Sequence, residues 1–129
     1  MNRLLFVFLF ALLLVLVACG GEAAQPAGET GPGDALIGEQ VFATGASPAC
    51  RSCHSLEAGK RLAGPSLAGL ATRAAASGKP ADDFIRQEIV KPNAVIAQGF
   101  AANMMPATYG SQLTPQQLDD LIAFLLTLE

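Results

Sequence analysis

Cys50-Arg51-Ser52-Cys53-His54 holds two of the chain's three cysteines and its only histidine, and its reading governs the rest of the chain. Two thiols separated by two residues can add to the two vinyl groups of one porphyrin. The next side chain, an imidazole, then reaches the iron from the same face. That layout, C-x-x-C-H, is the attachment sequence of c-type haem. Other chemistries use only parts of it. A thioredoxin-type dithiol expects βαβ surroundings, and no segment here alternates convincingly as a strand. A structural zinc site takes four ligands, and two cysteines with one histidine fall short. A Cys50–Cys53 disulfide would close too short a loop to stabilise much. The reading that employs all three side chains is one haem c, with Cys50 and Cys53 as covalent attachment points and His54 as a ligand of its iron.

On either side of the motif the sequence reads as short helices joined by Gly- and Pro-rich loops. The clearest helix is the last. Thr114-Pro115-Gln116-Gln117 sets a Thr at the N-cap, Pro at the first helical position and Gln three residues after the cap. Asp119 and Asp120 then favour the positive end of the helix dipole. Leu118, Leu121, Ile122 and Leu125 follow at helical spacing, with Phe124 beside them. Leu36 to Thr44 carries Ile37, Val41 and Phe42. Ser66 to Ala76 is Ala-rich and helix-prone. Ala81 to Val90 lines up Phe84, Ile85 and Ile89 between Pro80 and Pro92. The expectation is a small all-α fold of about four short helices over residues 35–129, wrapped around one haem. A core this thin needs such a staple.

The N-terminus carries different information. Met1-Asn2-Arg3 is a short basic start, and Leu4 to Val17 is uninterruptedly apolar. The run is shorter than the roughly 20 residues of a spanning helix and fits the core of a signal peptide. Leu16-Val17-Ala18-Cys19 resembles the lipobox of bacterial lipoproteins. That resemblance implies a signal peptide over residues 1–18 and a diacylglyceryl group on Cys19, with an uncleaved anchor as the alternative. Residues 20–34 (GGEAAQPAGETGPGD) contain no apolar side chain larger than alanine and read as a linker with a ceiling near 50 Å. Beyond residue 18 seven basic residues face eleven acidic ones, which argues against nucleic acid as a partner.

With the motif and its neighbours in view, residues 35–129 resemble the class I monohaem cytochromes c. Gly38 and Phe42 match the family's N-terminal helix, where the glycine allows close crossing of the C-terminal helix. Leu121 and Phe124 match that second helix. Gly64-Pro65-Ser66-Leu67 resembles the loop whose proline carbonyl accepts the ring N–H of the iron-bound histidine. No second histidine exists, so the remaining donors for the other axial position are Met104, Met105 and the lysines. Asn103-Met104-Met105-Pro106 resembles the family's ligand loop, in which the methionine before proline binds iron. The resemblance thus favours Met105, with Met104 as the alternative. Tyr109 is a further candidate for a contact with a haem propionate, a plain packing or surface role being the other reading.

A His/Met-ligated iron has no open position for a substrate. The resemblance therefore implies a monomeric carrier of single electrons, not an enzyme, working in a bacterial respiratory or photosynthetic chain. Its partners would be a membrane-bound electron donor and a terminal acceptor, and a lipid on Cys19 would hold it at the outer face of the cytoplasmic membrane. A haem subunit of a larger oxidoreductase, and an enzyme or sensor with a displaceable methionine, remain the alternatives. Residues 50–91 hold all seven basic residues beyond Arg3, against four acids. In the family this portion wraps the haem crevice, so a basic docking face is expected there.

Overall fold

A computed structural model describes residues 31–129 of the chain. The signal segment, Cys19 and the linker as far as residue 30 lie outside the described residues. Among those described there are five α-helices, one 3-10 turn and no strand. The helices are α1 (Ala35–Thr44), α2 (Leu70–Ala75), α3 (Ala81–Val90), α4 (Tyr109–Gln112) and α5 (Pro115–Leu125). The 3-10 turn, Cys50–Ser52, follows α1. No helix among the described residues is long and apolar enough to cross a membrane.

The most extensive helix pairing is α1 against α5. The face of α1 that enters it is Gly38, Val41 and Phe42, spaced i, i+3, i+4. Ile37, four residues before Val41, points outward and is 43% exposed. Gly38 makes the crossing possible: a Cβ there would lie 1.9 Å from the Asp120 carbonyl oxygen and 2.8 Å from the Phe124 Cβ. One turn on, the Phe42 and Phe124 rings meet with centroids 5.7 Å apart.

The start of α5 is a complete capping box, with the Thr114 hydroxyl accepting from the Gln117 N–H and the Gln117 side chain accepting from the Thr114 N–H. Asp119 and Asp120 do not serve the helix dipole, because neither lies in the first turn. Asp120 is buried at the crossing, where one carboxylate oxygen accepts from the Asp34 N–H and from Gln116 Nε2, both at 2.9 Å. Asp119 pairs with Arg86 of α3. Residues 31–34, expected to be linker, are attached to this same surface. The Gly31 N–H donates to Gln116 at 2.8 Å, and Asp34 caps α1 by accepting from Leu36 and Ile37.

The helix expected over 66–76 is only Leu70–Ala75. Residues 66–69 have other partners: the Leu67 N–H donates to Ser55, and the Ser66 hydroxyl accepts from the Ala68 N–H. Gly69, at φ 70, then turns the chain into α2. The expected α3 spans Ala81–Val90, with Ile85 and Ile89 buried.

Candidate functional site

Every helix contributes to the wall of one cavity of about 510 Å³, a size typical of cofactor sites. Phe42 comes from α1, Leu70 and Arg73 from α2, and Ile85 and Glu88 from α3. Tyr109 comes from α4, and Leu121 with Leu125 from α5. The core of this small domain is therefore arranged around a hollow.

The 3-10 turn brings both sulfurs to that hollow. Cys50 and Cys53 are free thiols and both line the cavity. The His54 N–H donates to the Cys50 carbonyl at 3.0 Å, closing the motif into one compact turn. Burial pushes the Cys50 thiol above its ordinary range, against the opposing effect of its backbone hydrogen bond.

His54 is fixed by the 64–67 loop. The N–H groups of Gly64 and Leu67 donate to the carbonyls of Cys53 and Ser55, which flank the histidine, both at 2.8 Å. Its Nδ1 lies 2.9 Å from the Pro65 carbonyl. A carbonyl only accepts, so Nδ1 carries the proton and the Nε2 lone pair is left available as a metal ligand. Gly64 lies flat against the ring, where a Cβ would fall 2.6 Å from Cε1 and 3.0 Å from Nε2. Proline and glycine thus have separate tasks, one setting the tautomer and the other leaving room for the ring.

Met104 and Met105 both border the cavity, but differently. Met105 is half-buried against the core, whereas Met104 is 58% exposed. Tyr109 is buried on the wall, and its hydroxyl donates to the Pro48 carbonyl at 3.0 Å. That bond uses the proton which a propionate contact would require, so packing and loop tethering describe its place better. Burial, and secondarily the two nearby thiols, push its phenol up.

The structure thus brings Cys50, Cys53, His54, Pro65, Met104, Met105 and Tyr109 to one cavity. Glu88 belongs there too and was missed. It stands four residues after Phe84, so the helical spacing of the α3 face pointed to it. One of its oxygens is sealed from solvent without a hydrogen-bond partner. Burial raises its carboxyl above the ordinary range, with Lys79 opposing the shift.

Comparison with known proteins supplies the family. Residues 35–129 match the Cytochrome c family. The chain belongs to it. Cytochrome c2 iso-1 of Magnetospirillum fulvum is 31% identical over 94 residues, which cover 62% of this chain and 91% of the relative. As a class I cytochrome c the protein is an electron-transfer protein with one covalently bound haem c. The residues present fit that group: two free thiols and an imidazole with a committed tautomer border a single, largely apolar cavity.

Proposed function

We propose that this cytochrome c is a membrane-tethered carrier of single electrons whose haem is held by Cys50 and Cys53 and ligated by His54 and Met105. Each thiol would add its S–H across one vinyl group, giving two thioether bonds without net oxidation. The observation that carries the reading is the 2.9 Å approach of His54 Nδ1 to the Pro65 carbonyl, which leaves Nε2 free to serve as a ligand to the iron. When bound, haem c supplies a reversible one-electron couple of its iron. Met105, a soft thioether, favours the reduced iron and raises the potential relative to a second imidazole. Phe42, Ile85, Leu121 and Leu125 keep water off the couple. With His54 and Met105 both holding the iron, the bound group would exchange single electrons through space, without a bond to substrate.

The tether in this reading is a lipid on Cys19, at the outer face of a bacterial cytoplasmic membrane. Gly31 is already docked on α5, so residues 20–30 alone bridge lipid and domain, with a reach of at most about 39 Å. A monomer on such a leash would meet a membrane-bound donor and a terminal acceptor within a thin layer.

Three measurements on protein from native membranes test these assignments. Acid–acetone should leave the haem on the wild-type chain, and extraction by that treatment would refute thioether attachment. Met105→Ala should abolish the near-infrared sulfur-to-iron band of the oxidised protein, while Met104→Ala should retain it. Metabolic labelling should place lipid on the wild type and not on Cys19→Ala.

A further inference from the structure

We propose that Asn93 is a positioning residue, a latch that holds the 93–105 loop so that Met105 and not Met104 faces the iron. The inference rests on Met105 being the axial ligand. The loop contains no helix, so its shape depends on a few polar ties. Its first residue has a defined place: α3 stops at Val90, Pro92 is buried, and the Ala94 N–H donates back to the Lys91 carbonyl at 2.8 Å. From there the Asn93 side-chain carbonyl accepts the N–H of Asn103, ten residues on, at 2.7 Å.

Asn103 is the only residue other than glycine with positive φ among those described, at 61°. Asparagine tolerates this left-handed region better than other side chains, yet it still needs support from its surroundings. The bond from Asn93 is made at that residue's own N–H. Immediately afterwards the two methionines part, Met104 to 58% exposure and Met105 into the wall of the cavity. Pro106 then restricts Met105 to extended backbone. A second tie holds the middle of the loop, where Arg61 donates to the Gly99 carbonyl and stacks 4.0 Å from the Phe100 ring centre. It lies several residues from the methionines, so the tie adjacent to them is Asn93.

The test is imidazole titration of the oxidised holoprotein. Imidazole takes the iron only when Met105 has left it, so its apparent affinity scales with the fraction of open loop. Asn93→Ala should tighten apparent imidazole binding roughly 2- to 12-fold, the effect of one net neutral hydrogen bond. Asn93→Asp retains an acceptor for the Asn103 N–H and should return the affinity to within about twofold of wild type. Haem content and thermal midpoint, measured on both variants, report folding separately. An unchanged affinity in Asn93→Ala, or an Asn93→Asp as open as the alanine variant, overturns the latch. Met105→Ala, titrated in parallel, separates the two levels of the argument. If it keeps the near-infrared band, the ligand assignment fails; if it loses the band while Asn93→Ala binds imidazole like wild type, only the latch fails.

Discussion

Gly38→Ala adds a single methyl group to the protein at its tightest helix contact. The new carbon would sit 1.9 Å from the Asp120 carbonyl oxygen, 2.6 Å from its carbon and 2.8 Å from the Phe124 Cβ. Reaching ordinary contact at 3.4 Å requires α1 and α5 to separate by about 1.5 Å. Two of the three obstructing atoms are backbone, which cannot rotate aside as a flexible side chain would. Overpacking of this kind costs about 1–3 kcal/mol and sometimes more. Alanine returns up to about 1 kcal/mol of helix propensity. A cost at the upper end therefore leaves a net loss of about 2 kcal/mol, or roughly 8–16 °C in the thermal midpoint of a domain this small. The assay is thermal and denaturant unfolding of the holoprotein, with Gly59→Ala as control. Gly59, unlike the helical Gly38, has positive φ, 73°, and a Cβ there meets nothing within 4 Å, so its loss should be limited to about 1–2 kcal/mol of backbone strain. A Gly38→Ala protein with a wild-type midpoint would refute the claim that this glycine sets the helix crossing.

Three further outcomes are expected. Gly64→Ala should force the His54 ring off its Pro65 partner, because the methyl would lie 2.6 Å from Cε1; an unchanged reduction potential and haem yield would contradict this. Burial raises the Glu88 carboxyl above its unfolded value near 4.5, so its contribution to stability is full below that pH and is lost as pH rises through the folded value. Glu88→Gln should accordingly match wild type in acid and become the more stable protein toward neutrality, and denaturant midpoints that track each other across pH would exclude the effect. Stopped-flow electron transfer to an acidic partner should slow as salt rises, and a flat profile would remove the basic segment 50–91 from docking.

Much of the fold could be read in advance where local rules act alone. The Thr114 capping box and the bounds of α3 depend on neighbours along the chain, and the crossing at Gly38 was legible only through the family resemblance. The rest needed tertiary information. Ser66–Gly69 has helical composition, but Ser55 takes its Leu67 N–H, and no propensity scale contains that bond. The Thr114 cap already places Asp120 beyond the first turn of α5, but its actual partner, the Asp34 N–H, is a tertiary contact that no local rule contains. Glu88 shows the same limit at the site. Its spacing put it on the buried face of α3, while its charge suggested solvent; only the assembled cavity shows one carboxyl oxygen sealed inside. The proximal half of the site was compact in sequence, Cys50 to Pro65. The distal half depends on a loop whose one-residue register, Met104 or Met105, no periodicity determines.

That contrast between the two halves has a physical consequence. Phe42, Leu121 and Leu125 belong at once to the α1–α5 core and to the cavity wall, so disturbing the crossing disturbs the pocket and the fold together. The Met105 loop is different: it is mostly exposed, contains no helix and is tied by Asn93 and Arg61. Local opening free energies in proteins range from near zero in such loops to the global value in packed cores. On the proposed ligation, release of Met105 from the iron should therefore be a local event and unfolding a separate, costlier one. Gly38→Ala should lower the unfolding midpoint, and Asn93→Ala should loosen Met105 at nearly constant midpoint. If both variants moved both quantities in fixed proportion, the domain would open only as a whole, and the ligand loop would have no independent stability for a latch to control.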